Sequence, residues 1–344
     1  MKATFLYGTG DVRVEDVAYP TILKPTDAVI RTVVACVCGS DLWDYYKFSA
    51  GRERIAKGHE SIGLVEDVGS AVKNFKPGDL VVIPFVASCG HCDFCLEGLQ
   101  TSCRNIDFFG HDGGAALQAE AARIPNADGT MVKLPVGTDS PLLPDLLSLS
   151  DVLCTGYHAA VTAGVRAGDT VTVIGDGAVG LSAVIAAKKK GAERIILVSR
   201  HETRSALGRE YGATDIVAER DEDGIARIKD LTKGDGTHRV LEAVGTQSAI
   251  DMAIAVCRAG GVIGRVGAAQ YANVPLDFGT IMRNITVTGG VAPARKYIAE
   301  LMPDILDGTI NPGKMFDIEV GIDDIATGYK AMADRTKIKA LVRF

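Results

Sequence analysis

A chain of 344 residues is too long for one average core and predicts two domains of roughly 150 residues each. With 47% hydrophobic residues, 23% charged residues and 39 glycines, it has the make-up of a globular enzyme, not of a disordered or fibrous chain. A net charge of -6 leaves no basic footprint for nucleic acid.

The opening "MKATFLYGTGDVRVED" lacks the apolar core of a signal peptide, and no later run reaches the ~18 apolar residues of a membrane span. The expectation is a cytoplasmic protein with no membrane partner. In that reducing compartment the eight cysteines are read first as metal ligands and not as a disulfide framework. Short β-type runs follow, "DAVIRTVVAC" at 27–36 and "SIGLVEDVG" at 61–69, with "PTD" and "KPGD" as turn signals. They predict an irregular, mainly β region. Within it, Cys38 in "VCGSDLW" and His59 in "KGHESIG" each adjoin a glycine that permits close backbone approach. On spacing alone the two are only candidate metal ligands, since a lone cysteine is ordinarily a core residue.

"SCGHCDFCLEGLQTSC" arranges Cys89, Cys92, Cys95 and Cys103 as C-x2-C-x2-C-x7-C. Four thiolates suit tetrahedral structural zinc, and the two-residue gaps let neighbouring sulfurs converge on one ion. The wide last gap and the lack of a following proline fit iron-sulfur ligation less well. A closed four-sulfur site has no open position for a substrate, so this lobe, about residues 88–105, is expected to hold a loop.

The texture changes between Pro141 and Ser150. In "SDVLCTGYH", Asp151, Cys154 and His158 share one face of a predicted helix at i, i+3 and i+7, and spacing does not choose among them as ligands. "DTVTVIG" then reads as a strand, "AVGLSAVIAAKKKGA" as a helix and "RIILVS" as a strand. Between them Gly175, Gly177 and Gly180, with Ala178 and Val179, form a G-x-G-x-x-G turn from strand to helix. The first glycine permits the tight turn, the second admits a pyrophosphate and the third lets helix pack on strand. Helix N-terminal amides face the anion.

About 20 residues on, an acid would bond the adenosine ribose 2′-hydroxyl of NAD. The sequence has Ser199 there, followed by Arg200, His201 and Arg204. A hydroxyl and guanidinium groups suit a 2′-phosphate, which favours NADP(H) over NAD(H). "HRVLEAVG" and "GGVIGRVG" supply further strands, with "TQSAIDMAIAVCRAG" as the helix between them. The alternation predicts an α/β fold, a doubly wound parallel sheet of the Rossmann type over 150–287. Beyond Val287 the pattern is less regular, with "IAELMPDILDG" helical.

"CGSD" at Cys38 to Asp41, "GHESIGLVEDVG", "KPGDLVV", the four-cysteine lobe and the glycine turn occur in the order of the zinc-dependent medium-chain alcohol dehydrogenase superfamily, which the whole chain resembles. The resemblance implies a mainly β, GroES-like catalytic domain at 1–149 and 288–344. It also implies a catalytic zinc held by Cys38, His59 and a third ligand four positions before a Thr-Gly pair, here Asp151, as in the aspartate-bearing secondary-alcohol and formaldehyde-type branch. Cys154 then reads as a packed small residue and His158 as a helix residue.

By the same resemblance Glu60 stands near the metal, as an outer partner or a transient ligand, with a buried turn salt bridge as its other reading. Ser40 matches the hydroxyl that takes the alcohol's proton. Lys339 in "KIKALVRF" matches a basic position that contacts the cofactor pyrophosphate, with a surface lysine as its other reading. Many relatives have a histidine three residues beyond that hydroxyl to pass the proton outward, where this chain has Trp43. The relay must then end through the nicotinamide ribose and water, or through Asp44. Trp43 and Val86 would wall the substrate pocket, unless Trp43 packs in the domain.

The function implied is reversible hydride transfer between a primary or secondary alcohol and NADP, giving aldehyde or ketone, with two zinc ions per chain. The partners implied are a small alcohol or carbonyl substrate and a second copy of the chain, in a homodimer or homotetramer. The alternatives are an NAD-dependent polyol, threonine or formaldehyde-type dehydrogenase, or a non-catalytic nucleotide sensor or structural protein on the same fold.

Overall fold

The computed structural model describes residues 1–48, 51–110 and 114–344. The chain divides into two compact units, Met1–Asp151 with Pro293–Phe344, and Val152–Ala292. The second crossing lies beyond the 287/288 point suggested by the change of pattern, because Thr286–Gly289 is the outer strand of the second unit's sheet.

The first unit is built on a seven-stranded sheet whose centre is Ala28–Cys36. Its run of β-branched residues is buried along almost its whole length, which suits a strand with neighbours on both edges. Ser61–Val68 pairs with it antiparallel, Ala35 opposite Ser61, and Lys339–Arg343 pairs on the other edge, Leu341 opposite Cys36. Those two registers matter for the site. They bring the residues just after Cys36, just before Ser61 and at the start of the 339–343 strand to one end of the sheet. Ile30, Val65, Val81, Ile83, Leu117 and Met131 fill one core cluster, and Val37, Tyr329, Ala340 and Val342 belong to another.

The second unit has a six-stranded parallel sheet in the order Asp215–Val217, Arg194–Val198, Thr170–Ile174, Thr237–Glu242, Cys257–Arg265, Thr286–Gly289. Numbered within the unit this is 3-2-1-4-5-6, the doubly wound order that places a dinucleotide at the carboxyl ends of the strands. Continuous apolar runs such as Ile195–Val198 are buried, as a strand covered on both faces requires.

Two expected helices have different limits. The helix expected over 246–260 is Gln247–Val256, because the backbone is already extended at Cys257 and Gly260 takes φ +70° within the strand Cys257–Arg265. The helix expected over 298–308 is Ala294–Leu306, beginning after Pro293 and carrying Pro303 inside it. Among the described residues, no helix is long and apolar enough to cross a membrane.

Candidate metal centres and dinucleotide turn

Cys38, His59, Glu60 and Asp151 each offer a ligand atom, and these atoms all lie within 4.8 Å of one another. Cys38 Sγ is 3.6 Å from Asp151 Oδ2, and His59 Nε2 is 3.5 Å from the same oxygen. Gly58 lets His59 reach this place: its φ is +105°, and a Cβ there would collide with the Gln118 backbone nitrogen. Asp151 has φ -150° and precedes the helix Val152–Thr162. The expected i, i+3, i+7 face therefore does not include it, and Cys154 and His158, both buried in that helix, join neither cluster of ligand atoms.

The other ring nitrogen of His59, Nδ1, lies 3.8 Å from Asp41 Oδ1. Asp41 is itself fixed: its Oδ2 accepts from the Cys38 backbone N–H at 3.0 Å and from Gln118 Nε2 at 3.1 Å, and Tyr329 donates to Gln118 Oε1 at 2.8 Å. Lys57 Nζ lies 3.7 Å from Asp41 and 2.9 Å from Asp44. Glu60 Oε1 accepts from Lys339 Nζ at 2.7 Å, both side chains being 1% exposed. Lys339 is thus not a surface lysine, and Glu60 combines the buried salt bridge with a place among the ligand atoms. Ser40 stands at the N-terminus of the short helix Asp41–Tyr46 and makes no capping bond with its side chain. Trp43 is 46% exposed, which excludes the packed-core reading, while Val86 is buried.

The four cysteines of the lobe also converge within 4.8 Å. Cys89 and Cys95 sulfurs are 4.0 Å apart, Cys92 and Cys103 3.9 Å, Cys103 and Cys89 3.5 Å, and all four are free thiols. The Cys103 sulfur accepts the backbone N–H groups of Cys89 and Asn105. Backbone N–H groups of Arg104 and Cys95 bring the Cys92 thiol down to about 6, whereas burial pushes Cys95 up to about 12.

In the second unit, Gly175 has φ +113° and a Cβ on Gly180 would collide with the Gly175 carbonyl oxygen. A Cβ on Gly177 would meet nothing within 4 Å. The first and third glycines are therefore required by the turn itself, while the second faces open space of the kind a pyrophosphate takes. Ala178 and Val179 begin the helix Ala178–Lys189. Ser199 and Arg204 are buried and both bond to Asp176, whereas Arg200 is exposed and His201 lies at the N-terminus of the helix Glu202–Tyr211.

Residues 24–136 match the family model for the alcohol dehydrogenase GroES-like domain, and residues 178–307 match that for zinc-binding dehydrogenase. An uncharacterized zinc-type alcohol dehydrogenase-like protein of Bacillus subtilis is 33% identical over 96% of this chain and 96% of its own. The chain belongs to the zinc-dependent medium-chain alcohol dehydrogenase superfamily. The NADP-dependent isopropanol dehydrogenase of Thermoanaerobacter brockii is 31% identical over 91% of each chain. Among solved structures, alcohol dehydrogenase TADH from Thermus sp. ATN1 superposes with a TM-score of 0.91 at 30% identity, covering 100% of this chain and 99% of that one.

As an alcohol dehydrogenase the chain can be tested for its fit to zinc. Ordinary zinc bond lengths in a tetrahedron give edges of about 3.6 Å for S to O, about 3.4 Å for N to O and about 3.8 Å for S to S. The separations above agree with these at both centres. Charge agrees as well. Around the mixed site the anions are the Cys38 thiolate, Asp41, Asp44, Glu60 and Asp151, and the buried cations are Lys57 and Lys339. The surplus is negative, the sign that a bound cation offsets. Without a metal, protons take up part of it: burial, then the Glu60 charge, raises the Cys38 thiol. Burial pulls His59 down, but the Cys38 and Asp151 charges outweigh it and hold the imidazole well above its ordinary range.

Sequence reasoning missed four residues of this dehydrogenase site. Asp41 lies in the quoted "CGSD" and was given no role, and Lys57 stands two residues before His59. Gln118 and Tyr329 carry no local signal at all.

Proposed function

We propose that this alcohol dehydrogenase transfers hydride reversibly between a primary or secondary alcohol and NADP, using one catalytic and one structural zinc per chain. The observation that carries the reading is the convergence of Cys38, His59 and Asp151 at zinc-like separations. Bound zinc supplies Lewis-acid polarisation of the substrate oxygen, and the nicotinamide gives or takes the hydride.

The chain's own residues do the rest. Cys38, His59 and Asp151 would hold the ion, with Glu60 beside them as a further carboxylate. Asp41, 3.8 Å from His59 Nδ1, favours a proton on that nitrogen and leaves Nε2, which faces Asp151, as the ligand atom. Ser40, two residues beyond Cys38, takes the alcohol's proton. With no histidine at Trp43, Asp44 is the chain's own group that would carry the proton onward. Trp43 and Val86 line the side on which substrates are distinguished. Cys89, Cys92, Cys95 and Cys103 hold the structural ion.

Gly175, Gly177 and Gly180 receive the pyrophosphate at the amides of Ala178 and Val179. Ser199, Arg200, His201 and Arg204 offer donors to a 2′-phosphate. Lys339 matches the basic position that contacts the pyrophosphate in relatives, and here its ammonium is held by Glu60 and the Val37 carbonyl. Self-association to a dimer or tetramer is supported by the exposed apolar side chains Leu276, Phe278, Ile281 and Met282 beside the outer strand Thr286–Gly289. The test is a panel of primary, secondary and polyhydroxy alcohols assayed in parallel with NAD⁺ and NADP⁺, with metal analysis of the same sample. Turnover with NADP⁺ and two zinc ions per chain is expected. Preference for NAD⁺ would overturn the cofactor reading, and one zinc per chain would overturn the metal scheme.

A further inference from the structure

The residue between the first two glycines of the turn is an aspartate, and it is already engaged. Asp176 Oδ2 accepts from Ser199 Oγ at 3.0 Å, and Asp176 Oδ1 faces Arg204 Nη1 at 3.3 Å. Ser199 Oγ lies 2.8 Å from Ser205 Oγ. All three principal partners are buried, Asp176 at 8% exposure, Ser199 at 1% and Arg204 at 9%. Thr170–Ile174 and Arg194–Val198 are adjacent parallel strands, so Asp176 and Ser199 stand together just beyond their carboxyl ends. An adenosine ribose binds at that end of such a sheet. The Ser199 position, where an acid would select NAD, has thus been supplied with a carboxylate from the neighbouring turn.

We propose that Asp176 sets cofactor discrimination by holding, as a resident carboxylate, the donors that a ribose 2′-phosphate needs. The inference rests on the NADP reading for its setting but makes a separate claim. A phosphate approaching Ser199 and Arg204 meets a fixed negative charge, must draw the one Ser199 hydroxyl proton from it, and competes with it for the Arg204 guanidinium. A ribose 2′-hydroxyl meets no such repulsion, since it can donate to the same carboxylate. Arg200, which is exposed, carries the attraction that remains. Discrimination in favour of the 2′-phosphate is accordingly weaker than Ser199, Arg200 and Arg204 alone would produce.

The experiment measures dissociation constants of 2′,5′-ADP and 5′-AMP by calorimetry on the full-length zinc-loaded protein, for wild type, Asp176→Asn and Asp176→Ser. Two variants are used because one could disturb the turn, and 5′-AMP binding reports in each whether the turn is intact. The expected result is that the preference for 2′,5′-ADP over 5′-AMP rises about tenfold or more in both, as removal of one nearby like charge implies. An unchanged preference overturns the inference, and so does a fall, which would make Asp176 a clamp that holds Arg204 for the phosphate. The two readings separate cleanly. If wild type prefers 5′-AMP and the preference still shifts, the NADP reading fails and this inference stands; if wild type prefers 2′,5′-ADP and nothing shifts, the reverse holds.

Discussion

Lys339 Nζ lies 2.7 Å from Glu60 Oε1 with both side chains 1% exposed, across 279 residues of sequence. Lys339 also donates to the Val37 carbonyl at 3.2 Å, so it is fixed from two sides. Burial disfavours its charge, but Cys36, Glu60 and Cys38 together raise its ammonium well above the ordinary lysine range. Removing one partner leaves a buried charge with no counterpart. Lys339→Met is expected to lower stability by about 3 to 5 kcal/mol, whereas the double variant Glu60→Gln with Lys339→Met recovers most of it. Denaturant midpoints of the metal-free chains check this, and additive losses would refute the pairing.

Loss of a metal ligand should separate binding from chemistry. Cys38→Ala and Asp151→Ala are each expected to lower zinc content by one ion per chain and turnover by more than the roughly 100-fold typical of an outer partner. Dinucleotide binding should persist. Near-normal turnover in either variant would remove that residue from the ligand set.

Asp41→Asn keeps the shape of the side chain but weakens the hold on His59 Nδ1. The expected effect is about 10- to 100-fold weaker catalytic zinc binding, read by competition with a chelator, with the four-cysteine zinc unaffected.

The four-cysteine lobe should release its ion more readily in acid. Thiols such as Cys95, pushed up to about 12, are protonated near neutral pH in the metal-free lobe and must give up protons when zinc binds. Affinity therefore rises with pH and falls as pH is lowered, so zinc release to a chelator should accelerate from pH 8 to pH 5 by more than tenfold, roughly one factor of ten per proton released per pH unit at most. Cys92→Ser should show fast release at both extremes.

The second and third glycines of the turn respond to size in different ways. Gly180→Ala forces a methyl against the Gly175 carbonyl oxygen and should cost about 1 to 3 kcal/mol of stability. Gly177→Val meets open space, so thermal unfolding should change little while dinucleotide affinity falls. Calorimetric melting alongside cofactor titration distinguishes them.

What was legible in the sequence is what is local in it. The strand, glycine turn and helix that begin the second unit are one contiguous stretch, and the four cysteines lie within a single loop. Asp151 could be located by its distance from Thr155, yet its helical face could not, because that residue has φ -150° and stands outside the helix, which begins at Val152. Gln118 and Tyr329 reach Asp41 and each other through contacts 77 and 211 residues apart, for which no spacing rule exists. Asp176 was passed over because it fills the variable place in a motif defined by its glycines. Lys339 was found by resemblance, but the partner that holds it was not.

The strand Lys339–Arg343 pairs with Ala28–Cys36, while Val152–Ala292 forms an uninterrupted unit between them. On the ribosome the middle segment can therefore fold as soon as it emerges, but the sheet around Cys38 stays unfinished until the 339–343 strand has been made. During that interval the Val34–Cys36 part of the central strand lacks its partner on one edge, and Glu60 has no ammonium beside it. The reading order of the gene makes the metal-binding unit the last part to mature, and the part most exposed to mispairing before it does.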